Sequence, residues 1–528
     1  MKRNILPVIL MLFLFLFLFS SESKNKPNII FFIADDMLPE HFNCLNDGKD
    51  KYFTPNLDRL AKEGTIMLEQ HVVSPVCTPS RYSVLTGMYP SRAKSWGFLD
   101  RTKKEGQTVV HFNTEINKDT VNVGSLLRDN GYTTGFVGKN HVIHAHDLEK
   151  FPNYDASAKD PRIKNQLISN HEKIKNAIKE AGFNFADRIY HNNPPYIGLK
   201  EVGVHNMDWI TEGAINFIDE NKSNPFFLYF ATTIPHGPTE AKRAWNANPS
   251  ISAVGYLDNI PDVLPPRKTI PERLIKEGFS TDFSRCNLLW LDDTLGALIK
   301  KLEDEKILDN TIIFFFSDHG QEAKGTLYQG GVHDPSIVWK SGGLPVGKKS
   351  EALISNIDFT PTILDITGVD YDPASFDGRS FKPQLLGKKP KERTLYFELG
   401  YARAIRMGKW KYMAIRYPDF INNWTLEDKK KVLDEYNAER RRKYLNIVTE
   451  DPSEPFSHFN AQPGGGDAER VSTGKKPAYY DSDQLYNLEK DPNELNNLAG
   501  DKAFKEKLQE MKNELKLILN TLPGDFPL

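Results

Sequence analysis

Residues 28–34, Asn28-Ile29-Ile30-Phe31-Phe32-Ile33-Ala34, form an apolar run that stops abruptly on two carboxylates, Asp35-Asp36. A run this short, β-branched and aromatic, predicts a strand buried on both faces in a parallel sheet. The pattern repeats at Pro225–Thr232 (PFFLYFAT) and at Thr311–Phe316 (TIIFFF), which leads into Ser317-Asp318-His319-Gly320. Tyr132–Val137 is a further strand, running into Gly138-Lys139. Helical patterns lie between them. Thr54-Pro55 opens one, carrying Leu57, Leu60 and Ala61 before Gly64. Val123–Asn130 is closed by Gly131, Trp209–Asn221 carries Ile210, Ala214, Phe217 and Ile218 on one side, and Leu288–Lys301 is a fourth. Alternating strands and helices predict a doubly wound α/β sheet.

The character changes near residue 390. Thr394–Glu398, Tyr401–Met407 and Lys409–Arg416 are short, aromatic and closely spaced, as expected of antiparallel strands in a smaller α+β unit. Trp424–Tyr444 predicts a helix, Gln462–Gly466 (QPGGG) a flexible loop and Ala503–Leu519 a terminal amphipathic helix. The expected organisation is residues 1–24 as a leader, 25–390 as a catalytic α/β domain and 391–528 as the smaller unit.

The leader has Lys2 and Arg3, then an apolar stretch Ile5–Phe19, then Ser20, Ser21, Glu22 and Ser23. This pattern predicts an export signal and a secreted or periplasmic protein. The stretch is shorter than the ~20 residues of a spanning helix, with an uncleaved anchor as the alternative. No later segment is long and apolar enough to span a bilayer. The 528 residues are 39% apolar and 26% charged, which excludes a wholly disordered chain. Net charge is 68 − 70 = −2, so nothing draws the whole chain to nucleic acid. Three cysteines make no disulfide framework; Cys44 and Cys286 either pair or stand as separate thiols.

In open α/β sheets ligands collect at the carboxyl ends of strands. Asp35-Asp36, Lys139 with His141, His236, and Asp318-His319 all fall there. Singly, an Asp pair after a strand is commonly a turn or a helix cap. Together the three carboxylates and an imidazole suit Ca²⁺ or Mg²⁺ better than a thiolate-bound zinc. The most specific motif is Cys77-Thr78-Pro79-Ser80-Arg81, continuing to Thr86-Gly87. It resembles the signature of the type I sulfatases of the alkaline-phosphatase-like superfamily. Gly138-Lys139-Asn140-His141, Pro235-His236-Gly237-Pro238, Ser317–Gly320, Lys324–Tyr328 and Gln484–Leu488 recur in that family's order, so the likeness covers nearly the whole chain after the leader.

The resemblance implies a large mixed sheet flanked by helices, and a Cys77 that a separate maturation enzyme oxidises to Cα-formylglycine. A sulfate ester is already anionic, so its sulfur needs positive charge around it and an activated nucleophile. A hydrated aldehyde offers two hydroxyls: one attacks sulfur, and deprotonation of the other expels sulfate and restores the aldehyde. By the same resemblance Asp35, Asp36, Asp318, His319 and the modified Cys77 hold one divalent cation, Ca²⁺ or Mg²⁺. His319 departs from the asparagine found in many relatives, which leaves the preferred ion open. Arg81 orients residue 77, and Lys139 and Lys324 bind sulfate oxygens. His141 takes the proton that drives sulfate release, and His236 protonates the leaving alcohol. Pro79 favours a helix start just after Cys77, aiming N–H groups at the anion.

His333, in Gly330-Gly331-Val332-His333-Asp334-Pro335, stands where relatives often have Arg; it is expected either to contact substrate or to make a supporting bond. His144 and His146 lie past their motif, and His71, His111, His191 and His205 are expected at the surface or in packing. Lys429–Lys431 and Arg440–Arg442 could rim a cleft for an anionic polysaccharide, or form a solvated face balanced by nearby acids. The expected substrate is a sulfated carbohydrate, an algal polysaccharide or a glycosaminoglycan. The rivals are a phosphonate monoester or phosphodiester hydrolase of the same superfamily and a non-catalytic binder of sulfated glycans. Specificity is expected from 92–118, 142–205, 239–285 and 420–480.

Overall fold

The computed structural model describes residues 26–45, 51–236, 245–344, 348–442, 447, 449–453, 464 and 476–528. The leader, the Gly237-Pro238 half of the histidine turn and all of the QPGGG segment but Gly464 lie outside the described residues.

The strands of the large sheet are β1 (Asn28–Asp35), β2 (Thr65–Met67), β3 (Thr133–Lys139), β4 (Phe185–Tyr190), β5 (Phe226–Pro235), β6 (Thr311–Ser317), β7 (Ser336–Lys340) and β8 (Lys348–Ser350). They lie in the order β8-β2-β7-β6-β1-β5-β3-β4. From β6 to β4 every pairing is parallel, whereas β7 runs antiparallel to both β6 and β2. The sheet is therefore mixed, with β1 near its centre.

The helices flanking it are α1 (Pro55–Glu63), α2 (Cys77–Thr86), α3 (Val123–Asp129), α4 (Pro161–Glu180), α5 (Met207–Asn221), α6 (Phe283–Asp304) and α7 (Phe359–Thr367). Residues of β1 alternate between two cores. Ile30, Phe32 and Ala34 pack in the core that includes α1, α5 and α6 side chains; Ile29, Phe31 and Ile33 pack in the core that includes those of α2, α3 and α7. This explains the unbroken hydrophobicity of the run: neither face meets water. Phe31 makes edge-on contacts with Phe227, Phe314 and Phe316, with ring centroids 5.3–5.5 Å apart. Fully burying one such side chain stabilises the fold by roughly 1.5–3 kcal/mol.

A second sheet contains β9 (Thr394–Leu399), β10 (Ala402–Met407), β11 (Trp410–Ile415) and β12 (Asp483–Asn487), antiparallel throughout and in chain order. The terminal helix, here numbered α9 (Lys505–Leu519) after α8 (Leu426–Arg442), covers one face through Met511 and Leu515. The other face, with Leu395, Phe397, Ala404 and Met413, packs on Val72, Val76, Leu327 and Tyr328. The small sheet thus backs the segments that carry Cys77 and Lys324.

Two expectations move. Helix α2 begins at Cys77 itself, with Val76 as its extended N-cap. Pro79 is its third residue, where a missing N–H is tolerated because first-turn donors have no intrahelical acceptor. Helix α4, twenty residues long and capped by the Asp160 side chain before Pro161, was not expected. The three cysteines are free thiols, so Cys44 and Cys286 do not pair.

Candidate active site

Five segments converge at the carboxyl ends of the central strands. Asp35 ends β1, and Asp36 follows in the left-handed region at φ 60°, which bends the chain at once. Such a backbone is costly for a residue with a Cβ and persists only where its surroundings hold it. They do so here: the Asp36 N–H donates to Asp318 Oδ1 at 3.1 Å and the Met37 N–H to Ser317 Oγ at 3.0 Å. On the other side of β5, Gly138 sits at a register shift in β3 at φ 91°. A Cβ there would stand 2.0 Å from the Ala231 carbonyl oxygen, so only glycine permits the kink that precedes Lys139.

Asp36, Cys77, Asp318 and His319 each place a donor atom within 4.8 Å of the others, and all four are buried. Cys77 Sγ lies 3.6 Å from His319 Nε2 and 3.9 Å from Lys139 Nζ. His319 Nε2 is 3.1 Å from Asp36 Oδ1. Asp35 lies outside that group of four. Its Oδ1 accepts from Arg81 Nη2 at 2.8 Å, and its Oδ2 from Lys139 Nζ at 2.6 Å. Arg81 also donates to Asp318 Oδ2 at 3.0 Å and to the Tyr229 hydroxyl at 3.2 Å. Lys324 Nζ donates to both oxygens of Asp36, at 2.7 and 2.8 Å.

The electrostatics follow from burial and close packing of charge. Burial pushes Asp35 up to about 7, reinforced by Asp318 and Asp36 and only partly offset by Lys139 and Arg81. Burial acts the same way on Asp36, but His236, Lys324 and His319 outweigh it and hold that carboxyl well below the usual range. Asp318 is likewise held low, by His319 and Arg81 against burial. His319 is raised despite burial, chiefly by Asp318. With the three carboxylates ionised and His319 neutral, as ligation of a cation would require, the acids balance Arg81, Lys139 and Lys324 at −3 and +3. A divalent cation among the acid donors would leave a surplus of about +2 facing an incoming anion. The donor set, hard oxygens with one imidazole, fits such an ion.

The two expected proton-transfer residues flank this group. His236 Nε2 is 3.3 Å from Asp36 Oδ2 and 2.9 Å from Asn193 Nδ2. Burial lowers its pKa well below 6.5 in spite of Asp36. His141 stacks on Phe112 with centroids 5.4 Å apart, and its backbone carbonyl accepts from Thr78 Oγ1 at 2.7 Å. Its Nδ1 is buried without a hydrogen-bond partner, and burial, then Lys139 and Arg81, hold its pKa well down. Both imidazoles are thus kept neutral at neutral pH.

Of the two roles expected for His333, the structure shows the supporting bond. Its Nε2 lies 2.7 Å from the Leu68 carbonyl, and its ring packs against His71, 5.2 Å between centroids. His71 in turn meets Arg406 Nη1 at 2.8 Å. The pair joins the large sheet to the small one. His144 is bound to Glu115 at 2.9 Å and meets His146 edge-on. In α8, Lys430 pairs with Asp434 at 2.7 Å, as a solvated helix face would. His205, expected in packing, is buried and close enough to His236 to depress it electrostatically. Asn193, Phe112 and Tyr229 had drawn no attention in the sequence. Asn193 stands before Pro194-Pro195, a turn signal with nothing to mark a histidine partner 43 residues on.

A family model described as Sulfatase matches residues 27–369, about two thirds of the chain. The chain belongs to the sulfatase family. It is a sulfuric ester hydrolase, and the mixed sheet and the smaller C-terminal sheet are that family's fold. A second model, N-sulphoglucosamine sulphohydrolase, C-terminal, matches residues 317–453 of this sulfatase. Among curated relatives, the N-acetylgalactosamine-6-sulfatase of Sus scrofa is 26% identical over 422 residues, covering 75% of this chain and 73% of the relative. The ulvan-active sulfatase of Formosa agariphila is 26% identical over 530 residues, covering 95% and 76%. A solved Bacteroides thetaiotaomicron sulfatase, from a study of glycosaminoglycan metabolism, superposes with a TM-score of 0.60 at 20% identity, covering 94% and 99%. The phosphonate monoester hydrolase of Agrobacterium radiobacter reaches 0.57 at 16%, covering 94% and 96%, so the fold is common to both chemistries.

Proposed function

We propose that this sulfatase is an exported enzyme that removes sulfate from a sulfated carbohydrate, using a formylglycine made from Cys77 by a separate maturation enzyme. The observation that carries the reading is the convergence of Asp36, Cys77, Asp318 and His319 on one buried point, with Lys139, Arg81 and Lys324 around it. Relatives named for N-acetylgalactosamine 6-sulfate and for ulvan support the carbohydrate. Among the described residues, no helix is long and apolar enough to cross a membrane.

Asp35, Asp36, Asp318, His319 and residue 77 would hold the cation, Ca²⁺ suiting the oxygen-rich set, with Mg²⁺ as the alternative. When bound, such an ion lowers the pKa of an oxygen on residue 77 and offsets charge on the sulfate. Lys139 and Lys324 bind sulfate oxygens as point charges, at the expense of their present contacts with Asp35 and Asp36. Arg81, fixed by Asp35, Asp318 and Tyr229, orients residue 77. His236, beside Asp36 and positioned by Asn193, is neutral in the free enzyme; it takes up a proton as the anionic ester binds next to it and delivers that proton to the departing alcohol. His141, held against Phe112, accepts the proton whose removal frees sulfate.

The test compares turnover of 4-nitrophenyl sulfate and phenyl phosphonate esters by one preparation, alongside mass spectrometry of residue 77. Expected are faster sulfate turnover, an aldehyde at position 77, and no turnover by Cys77→Ala. Phosphonate turnover faster by orders of magnitude, or full activity with an intact thiol, overturns the reading.

A further inference from the structure

Away from the catalytic residues, the stretch Gly387-Lys388-Lys389-Pro390-Lys391-Glu392-Arg393 runs from the large sheet's domain into β9. It walls a cavity of about 460 Å³, within the size range of small-molecule sites. Five cations line that cavity, Arg379, Lys388, Lys389, Lys391 and Arg393, and no acidic side chain does. A sixth is close by, since a Cβ on Gly387 would stand 3.0 Å from Lys348 Nζ.

Part of this set is built rather than loose. Arg393 is held by the buried carboxylate of Asp358, which also accepts from the Ser355 N–H at 2.8 Å and the Arg379 N–H at 2.9 Å. Arg379 Nη2 reaches the Lys391 carbonyl at 3.4 Å. Among the described residues, no carboxylate forms an ion pair with the side chains of Arg379, Lys388, Lys389 or Lys391. The resulting repulsion registers on Arg379, whose pKa is lowered by burial and by Arg393. Asp358 offsets Arg393, which leaves Arg379 and three exposed lysines as the surplus positive charge around one hollow, an arrangement that an entering anion stabilises. The floor is apolar, with Leu353 and Phe381 among its side chains. A ring with an apolar C–H face and charged substituents matches such a lining better than an inorganic ion alone.

We infer that this cavity is an auxiliary binding site for a sulfated polysaccharide, holding a sulfated residue of the chain whose other units reach the catalytic centre. The inference rests on the proposed carbohydrate substrate. It adds a site at which binding is separate from bond cleavage. Polymers should gain from it and single-sugar or aryl sulfates should not, because only a chain can occupy both places.

The test uses the full-length protein carrying Cys77→Ala, so that binding is read without hydrolysis, and dextran sulfate as the probe. Adding Lys388→Ala, Lys389→Ala and Lys391→Ala together should weaken dextran sulfate binding by about tenfold or more. In the otherwise wild-type enzyme the same three changes should leave 4-nitrophenyl sulfate turnover unaltered, which also reports that the variant is folded. Should that turnover fall, the single change Lys389→Ala, at an exposed side chain, repeats the measurement and must weaken dextran sulfate binding. Dextran sulfate affinity within twofold of the parent in the folded variants overturns the proposal. So does a loss confined to polyphosphate, run as a second probe, which would assign the cavity to phosphate polymers. Failure of the catalytic reading is seen separately, as sulfate release that survives Cys77→Ala.

Discussion

Two of the places where charge is buried in this molecule are arranged differently. At the ends of the central strands, Asp36, Asp318 and His319 aim donors at one point, and Arg81, Lys139 and Lys324 surround them. Behind the small sheet, Lys411 and Glu494 meet at 2.8 Å, both side chains at 0% exposure, and Glu494 Oε2 accepts from the Gln329 N–H at 2.6 Å. The second arrangement is closed, because each charge has a partner and none converges on a common point. The first converges. The difference teaches that burial of charge does not itself mark a catalytic centre; several donors of one sign directed at a common point do.

The comparison can be broken most forcefully at Asp318. Asp318→Asn should lower 4-nitrophenyl sulfate turnover by about 10²–10³-fold or more. Its urea midpoint should move little, since Arg81 keeps Asp35 as a partner. A large midpoint loss would show that the two clusters are alike in kind. Glu494→Gln should do the reverse. It strands Lys411 in the interior and should cost about 3–5 kcal/mol in urea unfolding, with turnover near wild type under native conditions. The joint change Lys411→Met with Glu494→Leu should recover much of that loss.

The smallest effect is one of pH. Burial pulls Lys411 down to about 8, against the pull of Glu494, from an ordinary value of 10.5. Between those two values the unfolded chain retains a proton that the folded chain has released. Stability conferred at this site therefore rises with pH across that window, by at most about 1.4 kcal/mol per unit. Unfolding free energies of wild type and Lys411→Met, measured from pH 7.5 to 10.5, should diverge in that direction. A constant difference would mean that Lys411 stays charged throughout.

The strands were legible because a segment covered on both faces has no polar positions to interrupt it, as in Asn28–Ala34. The residues closing those strands were legible as chemistry because a sharp stop on Asp35-Asp36 or Asp318-His319 has few purely apolar explanations. Residues that work through loop closure were not. Asn193 and His236 meet only once the chain between them has folded, and Phe112 reaches His141 from a segment with no regular pattern. Helix α4 was missed although Asp160-Pro161 is a cap and first-turn signal, because its charged face dilutes the apolar spacing of Ile163, Leu167, Ile174 and Ile178. For His333 the sequence left a substrate contact and a supporting bond open, because its partner, the Leu68 carbonyl, lies 265 residues away.

Cys77 is 1% exposed, sealed beneath the small sheet through Val76. Another protein's active site could not reach that sulfur in the finished molecule. The proposed conversion by a second enzyme would therefore have to precede folding, while the segment is still extended, so the order of assembly would decide which copies become active.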